Sequence, residues 1–172
     1  TLYVMIVLGL TMGMQPIVGY NFGAQKIDRV KQTLRLGIIS GVVITSSGFV
    51  ICEFFPHAVS ALFTDSDELI NLAVEGIRLA VLMFPFVGAQ IVIGNFFQSI
   101  GKAKISIFLS LTRQLLYLLP CLLRFPQWWG LKGVWISMPV SDALAFVTAV
   151  ISLMIYIKKV SKEHPIANKV AE

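Results

Sequence analysis

The sequence predicts an all-α, polytopic membrane bundle of five transmembrane helices, and three observations carry that reading. The chain is 56% hydrophobic and 13% charged, with a mean hydropathy of +0.81, well beyond the apolar share of a water-soluble domain. Its apolar runs approach the roughly 20 residues that a helix needs to cross a hydrocarbon core about 30 Å thick. The charged residues between those runs alternate in sign along the chain, as loops on alternate sides of a bilayer do.

The runs lie at Leu2–Phe22, Leu36–Phe55, Leu79–Ser99, Ile105–Leu123 and Val134–Ile157. The first closes on QPIVGYNFGAQK, Gln15 to Lys26. A proline and unpaired amides are costly at membrane depth unless neighbouring helices satisfy the freed polar groups, so this ending requires protein around it. A basic segment follows with Lys26, Arg29, Lys31 and Arg35, the signature of a cytoplasmic loop. The second and third runs are joined by HAVSALFTDSDELINLAVEGIR, where Asp65, Asp67, Glu68 and Glu75 outnumber the single Arg78, so this loop reads as external. Lys102 and Lys104 separate the third and fourth runs, and Lys158, Lys159 and Lys162 follow the fifth. The first helix therefore runs inward, the tail from 159 to 172 is cytoplasmic, and the loop FPQWWGLKG is outside with Trp128 and Trp129 as interfacial aromatics. Within the acidic loop, Asp65 and Glu68 form a candidate capping box, and Leu69, Ile70, Ala73, Val74 and Ile77 recur at helical spacing. That pattern predicts an amphipathic helix leading into the third span.

The formal charge of +5, from 14 Lys and Arg against 9 Asp and Glu, does not indicate nucleic acid. The basic residues sit in short loops between apolar runs and act as topology determinants. No basic n-region or cleavage site is visible ahead of the first run; the chain enters it at Thr1, which suggests a piece of something longer. Cys52 and Cys121 fall near the external ends of two runs. Two thiols make no disulfide framework, and both read as small buried hydrophobes.

Polar residues within the runs are the candidates for function. Pro16, Pro85, Pro120 and Pro139 each fall inside a span, where each removes a backbone hydrogen bond and serves either as a hinge or as a tolerated bend. Gly9 with Gly13, Gly19 with Gly23 and Gly37 with Gly41 have the four-residue spacing of close helix contacts. Arg113 lies about 12 Å from the inner end of the fourth span, and Asp142 about 12 Å from the outer start of the fifth. The two differ in depth by about 6 Å, which an arginine side chain bridges, so a salt bridge across this hairpin is expected. Charged groups at such depth face a bundle interior or a wet cavity, and the pair is either a structural tie or part of a functional site. Gln15, Asn95, Gln98 and Gln114 stand at similar depth. They act either as interhelical hydrogen-bond partners or as ligand contacts.

Four segments in this order, QPIVGYNFGAQ with its basic loop, GNFFQSIGKAK, LTRQLLYLLP and GVWISMPVSDAL, together resemble the C-terminal half of the multidrug and toxic compound extrusion (MATE) family, in its bacterial MepA-like branch. The resemblance implies a fold of twelve helices in two six-helix lobes, with this chain corresponding to helices eight to twelve. Residues 1–158 would then form a partial C-terminal lobe, and the N-terminal lobe and seventh helix would be its missing partners. It further implies a multi-pass protein of the bacterial inner membrane, in contact with membrane lipid, that exports amphipathic cationic drugs as small-molecule substrates in exchange for Na+ or H+. Gln15, Tyr20 and Asn21 match the family's eighth-helix motif, while Asn95, Gln98, Arg113 and Asp142 match recurrent positions. Some members carry an acidic cation ligand in the tenth helix, but Leu79–Ser99 contains no Asp or Glu. The coupling ion is therefore expected on the missing part of the protein, with no other cofactor and no metal site on this chain. A lipid-linked oligosaccharide flippase of the same superfamily would line its cavity with several basic residues, and the spans hold essentially Arg113 alone. An enzyme finds no HExxH motif, paired intramembrane carboxylates or Ser/His set, with His57 at an interface and His164 in the tail, and no Walker A pattern supports ATP-driven pumping. A non-catalytic scaffold needs only the packing motifs.

Overall fold

The computed structural model describes residues 2–62, 64 and 66–163, with side chains as far as Val160. Its described residues contain helices and turns and no strand. The first span is α1, Leu2–Gly23, and the second is α2, Ile27–Phe54. A short helix α3, Pro56–Ala61, precedes α4, Asp67–Val81, and α5, Phe84–Ser99. Next comes α6, Ala103–Leu111, continued by a π-helical stretch Thr112–Leu118 and by α7, Leu119–Trp129. The last helix, α8, runs Leu131–Glu163. Among the described residues four helices or helix runs are long and apolar enough to cross a membrane, and the bent pair of α4 and α5, counted as one span, brings the number to five.

Several boundaries differ from those predicted, each for a local physical reason. The basic segment after the first span is not a loop. The chain reverses within a few residues, with Gln25 at φ 57, and Arg29, Lys31 and Arg35 ride on the first turns of α2. A helix satisfies its own backbone, so it can continue past the hydrocarbon edge, and here Ile27, Val30 and Leu34 bury its inner face. The third span is not continuous from Leu79, because α4 and α5 meet at a bend of 49°. Pro85 stands in the first turn of α5, where a missing N–H costs least, and the amides of Phe86 and Val87 both donate to the Met83 carbonyl. Pro85 thus starts a helix, whereas Pro16 and Pro139 lie inside α1 and α8. The outer loop also shrinks: Phe125–Trp129 completes α7, and the turn falls on Gly130 at φ 54, a conformation that glycine adopts without strain.

The amphipathic helix leading into the third span is present as α4. Ser66 stands at its N-cap without a side-chain cap bond, and Asp65, on which the expected capping box depended, lies outside the described residues, as do His164 and the tail beyond Glu163. Cys52 and Cys121 are free thiols.

At the centre of the bundle is α5, which packs on α1, α2 and α8. Its Val92, Ile93, Phe96 and Phe97 are buried. Around it, α1 presents Val7, Thr11, Met14 and Val18, a stripe at helical period. Phe96 and Phe97 meet Tyr156 of α8 edge-on, with centroids 6.4 and 5.5 Å away, a favoured aromatic geometry. The apolar residues on the outer faces, among them Met5, Met12, Ile39, Val43, Ile151 and Ile155, are exposed, as a bilayer-embedded bundle requires.

The backbones of α2 and α5 approach closely. A Cβ added to Gly41 would lie 3.1 Å from the Gly88 carbonyl oxygen, and one added to Gly88 would run into the Gly41 carbonyl. Of the predicted glycine pairs, Gly41 makes this backbone contact while Gly37 packs on the Met14 and Val92 side chains; Gly19 faces the Ser99 carbonyl, and Gly9, Gly13 and Gly23 have no neighbour within 4 Å. Spacing puts two glycines on one face; it does not say whether a helix stands opposite. Gly88→Ala is expected to destabilise the protein by about 1–3 kcal/mol, because the obstructing atoms are backbone, whereas Gly9→Ala should cost nothing. Thermal unfolding in detergent, followed by a thiol dye on Cys52 and Cys121, checks this, and equal midpoints for the two variants would refute the close α2–α5 contact.

Candidate functional site

A polar cavity of about 270 Å³ opens between α1, α5 and α6, with Asn95, Gln98 and Arg113 among its lining residues. These side chains meet because two helices each present a polar stripe. On α5, Gln90, Gly94 and Gln98 recur every four residues, so they share a face with Asn95 beside them. On α6 and the π-helical stretch, Ser106, Ser110, Arg113 and Tyr117 follow at intervals of three and four. The remaining wall is apolar, supplied by Leu8 of α1, Ile91 of α5 and Leu109 of α6.

Arg113 is the charged member of the site and is held from one side by α8. Its Nε donates to Asp142 Oδ1 at 2.9 Å. The Asp142 side chain is 12% exposed and that of Arg113 36%, so the carboxylate is the desolvated partner and depends on the arginine for its charge compensation. One turn further along, Tyr117 and Thr148 hydroxyls are 2.8 Å apart. Thr148 also donates to the Leu144 carbonyl at 2.9 Å, which leaves the Tyr117 hydroxyl as the donor to Thr148. Both contacts start from the π-helical stretch. That wider turn ends where Leu119 donates to Gln114, immediately before Pro120, which has no N–H and whose ring crowds the preceding turn of an ordinary α-helix.

Gln15 joins from α1, its Nε2 donating to Asn95 Oδ1 at 3.4 Å, while Asn95 Nδ2 donates back to the Ile91 carbonyl at 2.9 Å. Not every predicted residue converges here. Tyr20 is 74% exposed, Asn21 donates to Ile17 of its own helix, and Gln114 is exposed on the π-helical stretch and absent from the cavity wall. In their place the cavity contains Gln90, Ser106 and Ser110, which the amide survey passed over. Gln90 is buried, and its carbonyl oxygen has no hydrogen-bond partner; neither does the hydroxyl of buried Thr112, beside Arg113. The signal for Gln90 was its fourfold spacing from Gln98. No group of three or more His, Cys, Asp or Glu side chains gathers among the described residues.

Arg113→Gln is expected to lower stability by about 1.5–3 kcal/mol, since it leaves a desolvated carboxylate without its charged donor. Adding Asp142→Asn should return most of that loss. Additive losses in the double variant, measured by thermal unfolding, would mean that the two residues are not coupled.

The fold has counterparts in known proteins. The MatE family model matches residues 1–123. The multidrug export protein MepA of Staphylococcus aureus strain MW2 is 24% identical over 157 residues, covering 89% of this chain and 33% of its own length. MepA of Staphylococcus haemolyticus strain JCSC1435 is 22% identical over 140 residues, covering 81% and 30%. The MATE multidrug transporter DinF-BH, solved in complex with a ligand, superposes with a TM-score of 0.83 at 37% identity, covering 88% of this chain and 34% of that one. The chain thus spans about a third of the length of the curated relatives it matches. With the family model covering most of its length, this all-helical, multi-pass membrane chain belongs to the MATE family, in its MepA-like bacterial branch.

Proposed function

We propose that this chain is part of the C-terminal lobe of a secondary multidrug efflux antiporter, which exports amphipathic cationic drugs in exchange for Na+ or H+. The observation that carries this reading is the polar cavity whose single charged lining residue, Arg113, is neutralised by Asp142. An anionic substrate needs unpaired cations. A cavity of amides and hydroxyls, with its one cation already matched, instead suits a ligand that is neutral or positive and bound without strict geometry. The same observation disfavours the flippase alternative. On this reading the drug lies between the present lobe and the N-terminal lobe that completes the fold. The coupling ion is held on the completing part, since neither α5 nor the end of α4 from Leu79 supplies a carboxylate. The basic residues of α2, the α5–α6 turn and the end of α8 face the cytoplasm of a bacterial cell, by the positive-inside rule.

The test is reconstitution of the full-length protein in vesicles, with movement of a cationic rhodamine dye followed under an imposed Na+ or proton gradient. Movement under one of the two is expected, and none under either would sink the antiporter. Asp142→Asn is expected to reduce that movement on the order of tenfold, from the loss of one charge-assisted hydrogen bond, with expression unchanged; unaltered transport would leave the pair a purely structural tie. Gln90→Leu should unfold at the same or a higher temperature, because it removes an unpaired buried carbonyl, while it weakens binding of the dye several-fold. Binding equal to wild type, measured by fluorescence titration, would exclude Gln90 from the substrate site.

A further inference from the structure

We infer that the end of the bundle where α1, α6 and α8 meet binds an anionic phospholipid of the surrounding bilayer, its phosphate between Lys102, Lys104 and Lys159 and its acyl chains along Phe22, Phe108 and Ile155. A cleft of about 900 Å³ opens there, separate from the polar cavity, and all six residues line it. Its cations come from two distant parts of the chain. Lys102 and Lys104 flank the start of α6, just after the turn at Gly101 with φ 75, and Lys159 lies near the end of α8.

Two features select a lipid over other ligands. Among the described residues no acidic side chain lines the cleft and none of the three lysines is ion-paired, so the three positive charges there attract an anionic headgroup. The walls beside the lysines are apolar: Phe108 and Ile155 are exposed large hydrophobics, and Phe22 and Ile105 adjoin them. A free phosphate ion would satisfy the lysines and leave those walls wet. A phospholipid satisfies both, with the lysine stems lying along the apolar surface and their ammonium groups reaching the headgroup. The volume takes a headgroup and the first part of its chains. Only the choice of leaflet rests on the proposed orientation.

The full-length protein in nanodiscs of mixed phosphatidylglycerol and phosphatidylcholine is expected to retain phosphatidylglycerol selectively on detergent extraction, counted by native mass spectrometry. Lys102→Gln, Lys104→Gln and Lys159→Gln together should lower the retained ratio at least about fivefold, the factor that a single lysine's attraction to an anionic surface supplies. Lys132→Gln, at the opposite end and paired with Glu75, should leave it unchanged. Phe108→Ala with Ile155→Ala, lysines intact, should also lower it, and an unchanged ratio there would overturn the lipid assignment in favour of a bare phosphate surface. The inference also falls if the wild type shows no preference, as it would were another part of the protein filling the cleft, or if the triple variant retains the wild-type ratio. The readout needs no transport, so failed dye efflux with lipid retention intact would count against the antiporter alone.

Discussion

The close approach of α2 and α5 is the contact on which the rest of the bundle depends. Helices in a membrane gain little from hiding apolar surface from one another, because lipid tails are as apolar as leucine; they gain from tight packing. Gly41 and Gly88 let two backbones come close enough that a Cβ on Gly88 would run into the Gly41 carbonyl. Thr45 caps the contact with a hydroxyl that donates to the Gly41 carbonyl and reaches the Pro85 carbonyl at 3.4 Å. With its start fixed in this way, α5 occupies the centre, and its rotation about its own axis is set. Val92, Ile93 and Phe97 then turn to the core, and Gln90, Asn95 and Gln98 turn toward α6.

The second tie runs between the fourth and fifth spans. Arg113 and Tyr117 reach Asp142 and Thr148 from a stretch whose turns are wider than α-helical. An extra residue in a helical turn rotates everything after it, and the stretch delivers two polar side chains to one neighbouring helix just before Pro120 interrupts the regular ladder. π-helical turns concentrate at functional sites. The polar cavity and the two-point clasp thereby share one residue, Arg113, so a change in how α6 and α8 sit against each other alters the electrostatics of the cavity directly.

The two cavities divide the chemistry of the lobe. One is smaller and polar, its arginine paired with Asp142 of α8; the other is larger and apolar-walled, with three lysines that have no ion pair among the described residues. On the proposed readings a cationic substrate and an anionic lipid are thus drawn to neighbouring cavities on α6, one lined by Ser106 and Ser110 and the other by Lys104 and Phe108. The separation needs few charged residues, because in a low-dielectric setting each one dominates its surroundings.

The sequence by itself determined the class of this protein and most of its helices. Apolar runs of bilayer length leave the backbone no alternative to helix, and the depth argument that paired Arg113 with Asp142 needed only rise per residue and side-chain reach. Membership of the family was legible in four short segments. Tertiary structure decided which glycine pairs touch, since Gly9 and Gly41 look alike until a partner helix is placed opposite. It decided that Pro85 begins a helix whereas Pro16 lies within one, and that α2 carries its charges on helical turns. It also decided the membership of the cavity, admitting Gln90 and leaving out Tyr20, Asn21 and Gln114. Periodicity fixes which residues share a face of one helix. The direction that face points is set only by packing against the others.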